Sequence, residues 1–311
     1  MILMRCLQSF PMPMDYTRLR CRGLPIITLN TTYKVLTYTI PERFAPFGNY
    51  YFQIHVKFIS AFFSSLYIFW VFLVFTVFML LFLPGIIVPA FFGQHAVAVT
   101  YFFMKAWSWV FSMLTFIRYE MIGRENIVPG KAYIYVSNHT SFLDLPGIAM
   151  TIRGQFRPLA KKELLKLPVF GWITRATCVV VDRSSNESRK KSLDRLKDIL
   201  NMGINILVFP EGTQNRTKEL LQPFKDGAFR IATDTQKPLL PLAVIGAGKL
   251  MPPGTIRLRP GKIKIVVGPE IPVSTEEDTR GLKERTFTIL EAMLKSKETH
   301  DTNHKAISNH P

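Results

Sequence analysis

A general base of histidine type has a single candidate between residues 118 and 295 of this chain. Its six histidines stand at positions 55, 95, 139, 300, 304 and 310, so only His139 falls between residues 118 and 295. It follows an apolar run, Ala132 to Val136, and sits in Ser137-Asn138-His139-Thr140-Ser141-Phe142-Leu143-Asp144. A strand end that opens into a helix start is where α/β sheets place their sites. Asp144, five residues on, can return to the imidazole because the turn into the helix folds the chain back. A carboxylate on Nδ1 leaves Nε2 as the basic nitrogen and stabilises the imidazolium once it forms. The same spacing also suits a hydrogen-bonded histidine beside an N-capping aspartate, so HX4D alone leaves both readings open.

Three further apolar runs end in charged or glycine-containing loops. Asn205 to Phe209 leads into Pro210-Glu211-Gly212-Thr213, with Gln214, Asn215 and Arg216 behind it. Cys178 to Val181 ends in Asp182-Arg183, and Pro238-Leu239-Leu240-Pro241-Leu242 opens the fourth. Beside the run that ends at His139, these would gather polar groups on one edge of a sheet. Ser141 has no second histidine to activate it and reads as structural.

Taken in order, NHTSFLD, VVVDR, FPEGT and PLLPL resemble the four motifs of the glycerolipid acyltransferases, in particular the 1-acylglycerol-3-phosphate (lysophosphatidic acid) acyltransferases. The resemblance covers roughly Arg118 to Lys295 and extends to the apolar N-terminal segment. It implies that His139 takes the proton from a glycerol hydroxyl with Asp144 as its partner. The hydroxyl oxygen then attacks an acyl thioester. It also implies that Arg183, Glu211, Gly212 and Thr213 belong to the site for the acyl acceptor, and that Lys161 and Lys162 help to hold a phosphate. The family usually reads EGTR where this chain has Glu211-Gly212-Thr213-Gln214. The phosphate contact expected at Gln214 is missing; Arg216 stands two residues on as its replacement, or the acceptor differs.

The elements that would position these groups alternate. Short apolar strands at Ala132–Val136, Cys178–Val181, Asn205–Phe209 and Leu239–Ile245 are separated by helical runs, the clearest being Glu187–Met202, where Leu193, Leu196 and Leu200 recur at helical spacing. Thr255–Arg259 and Lys262–Val267, joined by Pro260-Gly261, read as a strand pair. The expectation is one α/β domain over residues 118–295, with a central, mostly parallel mixed sheet and flanking helices. The cationic run Arg189-Lys190-Lys191-Arg195-Lys197 reads as a solvated helix face. No internal repeat is visible.

Ahead of this domain, no Lys, Arg, Asp or Glu occurs from Phe58 to Met104, and Phe58 to Leu83 is mostly apolar with eight Phe. Such a helix could run roughly 39 Å against a hydrocarbon core of about 30 Å, so residues 58–117 read as a membrane helix or helical hairpin. Pro84-Gly85 is expected to break it. The Trp107/Trp109 pair beyond Lys105 suits the headgroup level. Residues 1–57 hold seven Lys+Arg against two acids and the rest of the chain is also basic, which favours a hairpin with both ends on the cytoplasmic side. Residues 1–57 show no sustained period and receive no role; 296–311 read as a frayed polar tail, its three histidines not a metal site.

The chain has 311 residues and a formal charge of +17, which keeps nucleic acid, anionic lipid and phosphorylated substrates in play as partners. Hydrophobic residues at 48% exclude a disordered chain. Cys6, Cys21 and Cys178 form no CxxC pair, so neither a disulfide framework nor a zinc knuckle is legible. GxSxG, Walker A and GxGxxG signatures are missing as well. A thioester is already activated, so a base and two well-oriented substrates would suffice, with no metal and no cofactor beyond an acyl-CoA or acyl-carrier protein donor. The leading expectation is an integral membrane acyltransferase converting 1-acylglycerol-3-phosphate to phosphatidic acid, with no nucleic-acid partner. Another acceptor, glycerol-3-phosphate or an amino-acid lipid, is the alternative. Outside that class stand a membrane-bound thioesterase, separable by assaying ester against free acid, and a non-catalytic module that binds anionic surfaces.

Overall fold

The computed structural model describes residues 27–30, 35–38, 45–181 and 186–307. Two compact units result, Met1–Leu66 and Tyr67–Pro311. In the first, β1 (Ile27–Asn30) pairs antiparallel with β2 (Val35–Tyr38), strands that the sequence did not reveal. Helix α1 (Ala45–Ile87) begins well before Phe58 and runs through Pro84 instead of breaking there; a 3-10 turn, Val88–Phe91, follows. Proline lacks one N–H but forces no break on an otherwise apolar helix.

Helix α2 (Gln94–Thr115) runs antiparallel to the later part of α1. Thr100 Oγ1 donates to the Ile86 carbonyl at 3.0 Å, while Tyr67 Oη and Trp70 Nε1 donate to the Thr115 and Leu114 carbonyls at 2.7 and 2.9 Å at the other end. These helices are long and apolar enough to cross a membrane, over Lys57–Phe91 and Ala96–Thr115. Trp109 is exposed, but Trp107 is buried, in T-shaped contact with Phe75 and stacked on Phe111. The reading of both tryptophans as headgroup residues therefore fails for Trp107. Lys105, well inside α2, donates to the Ile152 carbonyl at 2.8 Å.

The second unit is built on a seven-stranded sheet. Its strands are β3 (Ile117–Ile122), β4 (Ile134–Ser137), β5 (Phe156–Lys161), β6 (Val179–Val181), β7 (Asn205–Val208), β8 (Leu239–Ile245) and β9 (Gly261–Val267). In the order β3-β9-β8-β4-β7-β5-β6 every neighbouring pair is parallel except β8 with β9. The mostly parallel mixed sheet is thus as the sequence implied. Along β4 the side chains alternate between two cores: Tyr135 joins α1, α2 and α3 (Asp144–Thr151), while Ile134 and Val136 join α5 (Asn186–Asn201), α6 (Gly227–Thr235) and α8 (Thr279–Ile307). A strand covered on both faces must be apolar throughout, which is why these runs were legible. The smaller helices are α4 (Phe170–Thr177) and α7 (Ala247–Leu250).

Two further expectations are corrected. Thr255–Arg259 forms no strand; Ile256 is exposed, Leu258 is buried, and only β9 completes the supposed pair. Residues 296–307 continue α8 rather than fray. On α5, the cationic face expected to be solvated carries an exposed Lys191–Glu187 pair at 2.6 Å, and Lys197 reaches Asp234 at 2.9 Å.

Candidate active site

The central strand β4 delivers the 138–144 loop to the edge of the sheet. Asn138 fixes it first: its Nδ2 donates to the Val244 carbonyl at 2.9 Å and its Oδ1 accepts from the Val244 N–H at 2.7 Å, so a buried side chain continues the ladder to β8. The Asn215 N–H then donates to the His139 carbonyl at 2.7 Å. The His139 N–H donates to Glu211 Oε1 at 2.9 Å. The backbone of His139 is held on both sides before its ring makes any contact.

The ring is held through Asp144. Nδ1 lies 2.8 Å from Asp144 Oδ2, which also accepts the Thr140 and Ser141 N–H groups at 2.8 and 3.0 Å. Asp144 is fully buried and is the first residue of α3, so one carboxylate ties down the loop that precedes the helix and orients the imidazole. The reading of Asp144 as an N-cap fails, because Leu143 holds that position and no side chain caps α3; the hydrogen-bonded pair stands. An ionised carboxylate can only accept, so Nδ1 carries the proton and Nε2 keeps its lone pair. No partner for Nε2 occurs among the described residues. Phe209 stacks on the ring at 4.1 Å between centroids and 21° between planes, closing one face. Ser141 Oγ accepts from the Leu143 N–H at 3.2 Å, in keeping with its structural reading.

The loop after β7 is shaped by its own residues. The Gly212 N–H donates to the Phe209 carbonyl at 3.0 Å, closing a turn with Pro210 second and Gly212 at φ 78°. Left-handed backbone there favours glycine, and proline presets the turn. The turn sends Glu211 back under the site, where Oε1 meets the His139 N–H and Oε2 the Gln222 N–H at 2.9 Å. Burial pushes this carboxyl up from the ordinary glutamate range, and the two N–H groups pull it partly back. The folded chain therefore holds the proton more firmly than the unfolded chain. The stability that this group adds is complete below the ordinary glutamate pKa and lost as pH rises through the raised value.

Glu211→Gln turns an NH2 toward one of two backbone N–H groups and is expected to cost about 1–3 kcal/mol near neutral pH. Thermal melts should show the gap between parent and variant narrowing as pH rises through the raised value.

Not every expected residue gathers here. Arg183 lies outside the described residues. Thr213 is exposed. Lys161 ends β5 and Lys162 starts the following 3-10 turn, two strands from β4, and both are exposed. Arg216 comes nearer: it lines a cavity of about 310 Å³ with Asn138, Thr140, Asn215, Gly248 and Lys249, which takes in both chain neighbours of His139 but not His139 itself. Gln214 does not line that cavity, and its Nε2 is buried without a partner. Asn138, Phe209 and Lys249 were missed as participants, although Asn138 and Phe209 lie inside the quoted motifs. Gln222, whose N–H meets Glu211 and whose Nε2 donates to the Gln214 carbonyl at 3.2 Å, was missed as well.

Known proteins resemble this chain in sequence and in fold. A family model described as Acyltransferase matches residues 118–245. A 1-acyl-sn-glycerol-3-phosphate acyltransferase of Chlamydomonas reinhardtii is 35% identical over 170 residues, 54% of this chain and 51% of that protein. An uncharacterized acyltransferase of Schizosaccharomyces pombe is 31% identical over 210 residues, 65% of this chain and 72% of that one. The chain spans about half the length of the algal protein and of two plant proteins of the same description. In fold, the chain is similar to the crystal structure of the 1-acyl-sn-glycerophosphate (LPA) acyltransferase PlsC from Thermotoga maritima. The TM-score is 0.66 at 23% identity, over 76% of this chain and 96% of that one.

Proposed function

The chain belongs to the acyltransferase family, and from that premise we propose that it moves an acyl group from an acyl thioester to the free hydroxyl of 1-acylglycerol-3-phosphate, giving phosphatidic acid. The observation that carries this reading is the 2.8 Å contact between His139 Nδ1 and a fully buried Asp144, close to a cavity lined by Arg216 and Lys249. His139 Nε2 takes the proton from the acceptor hydroxyl as its oxygen bonds to the thioester carbonyl carbon. The tetrahedral intermediate collapses, the C–S bond breaks, and the imidazolium returns the proton to the departing thiolate. Asp144 holds the tautomer throughout and offsets the transient positive charge. Glu211, with both oxygens on backbone N–H groups, positions His139 rather than touching the acceptor.

Arg216 supplies a fork suited to phosphate, and Arg183, Lys161 and Lys162 are further candidates for the same anion. Removing a charge-assisted hydrogen bond of about 1.5–3 kcal/mol raises a dissociation constant roughly 10- to 150-fold. Arg216→Ala should therefore raise the acceptor KM by that order and leave kcat within a few-fold. An unchanged KM would remove Arg216 from the phosphate site. The donor is acyl-CoA or acyl-carrier protein. We place the α1–α2 pair in the membrane, with the catalytic domain on the cytoplasmic face, because basic residues flank the apolar stretch on both sides.

Gln214, where the motif resemblance implies arginine, favours a second reading in which the acceptor has another headgroup. One assay decides between them. Purified full-length chain receives one labelled acyl-CoA and several acceptors in mixed micelles. Phosphatidic acid formed only with lysophosphatidic acid supports the first reading, an ester of another acceptor the second. Free fatty acid alone would make the protein a thioesterase and overturn both.

A further inference from the structure

Between β5 and α4 the chain carries an exposed surface whose apolar side chains take no part in the proposed chemistry. Leu164, Leu167, Phe170 and Trp172 are all exposed, Leu167 by 48% and Trp172 by 56%. Four apolar side chains within nine residues exceed the scattered singles of an ordinary surface. Among them stand exposed Lys161, Lys162, Lys166 and Arg175 against one acid, Glu163.

The turn that presents them is built at a cost. Val169, a β-branched residue, adopts φ 63° and ψ −54°, and the Phe170 N–H donates back to the Pro168 carbonyl at 2.6 Å, a three-residue turn of the rare strained kind. Gly171 follows where a Cβ would lie 2.4 Å from the Leu165 carbonyl oxygen. The two short helices therefore close tightly, with Val169 and Ile173 against the core and Leu164, Leu167, Phe170 and Trp172 left exposed. Strain of this sort persists where the surrounding structure enforces it, and it clusters at working sites.

The position of the turn indicates what covers it. Phe170 stacks on Phe75 of α1, 5.9 Å between centroids and 14° between planes. The patch is thus continuous with a helix long and apolar enough to cross a membrane. Apolar and aromatic side chains beside a cluster of cations match the interface of an anionic bilayer. We propose that residues 161–175 form a second membrane contact, with Leu167 and Trp172 in the headgroup region of an anionic lipid surface and the cations among its phosphates. This rests on the membrane placement of α1 proposed above. It sets the C-terminal end of β5, on the same edge of the sheet as His139, against lipid, where an acceptor anchored by its own acyl chain would arrive.

The test measures depth, not turnover. In the full chain with Cys6, Cys21 and Cys178 replaced by alanine, a nitroxide is attached at Trp172→Cys or, as a control on α8, at Glu284→Cys. The protein is reconstituted into vesicles of phosphatidylcholine with about 30% phosphatidylglycerol. The label at 172 should collide more with oxygen than with a water-soluble nickel chelate, and the label at 284 the reverse. A label at 172 as open to the chelate as the one at 284 overturns the docking surface, whatever the enzymology. Shielding from both agents with spin–spin broadening would mark a second copy of the chain on the patch and overturn it equally. A label in lipid on a chain that acylates no acceptor would retain the contact and sink only the catalytic reading. With activity in hand, Leu167→Asp with Trp172→Asp should raise the apparent KM for vesicle-borne acceptor about ten-fold and leave kcat on a short-chain, water-soluble acceptor unchanged; equal KM values would count against the patch.

Discussion

Alanine at position 139 is expected to lower kcat by roughly 10²- to 10⁴-fold, the usual share of a general base, with the acceptor KM little changed. No other histidine lies between residues 118 and 295, so no neighbour of that type can take over. The substitution removes one of three donors from Asp144 Oδ2 but leaves the Thr140 and Ser141 N–H groups in place. It also removes the stack on Phe209, worth about 0.5–1.5 kcal/mol. The variant should therefore fold, with a modestly lower Tm, and still bind acceptor. Single-turnover assays with labelled acyl-CoA separate the chemical step from binding. A variant that keeps more than a tenth of the parental kcat would move the base elsewhere and leave the His139–Asp144 contact as architecture.

How much of this was legible in the chain depended on what each segment must bury. β8 has the bounds the sequence suggested, Leu239–Ile245, because all seven residues are buried and the run is apolar throughout. β3 and β5 escaped notice for the opposite reason. β3 is an edge strand that carries Arg118 and Glu120, and Phe156–Lys161 includes Arg157, Pro158 and Lys161, so neither shows a continuous apolar run or clean alternation. Thr255–Arg259 erred the other way. Its alternation of Ile256 and Leu258 with arginines mimics a half-buried strand, yet the segment instead passes the Arg259 N–H to the Leu250 carbonyl. At the site, side chains with chemistry announced themselves, and backbone partners did not. The N–H groups of Thr140, Ser141 and Gln222 complete the arrangement and belong to every residue type alike.

Asp144 is where architecture and catalysis coincide, and two substitutions pull them apart. Asp144→Asn keeps a carbonyl oxygen that can still accept from the Thr140 and Ser141 N–H groups, so the start of α3 should survive at a cost of about 1 kcal/mol. Catalysis should not survive. With its oxygen in the place of Oδ2, the amide still accepts from Nδ1–H but carries no charge to stabilise the imidazolium as it forms. The expected fall in kcat is roughly 10²- to 10⁴-fold, at an acceptor KM close to the parent's. Asp144→Ala leaves the Thr140 and Ser141 N–H groups without their acceptor, so it should lose both activity and about 2–4 kcal/mol of stability. Steady-state rates and thermal melts on the pair give the answer. An Asp144→Asn chain that turns over at the parental rate would reduce the carboxylate to a tie for the loop ahead of α3, architecture without a part in the chemistry.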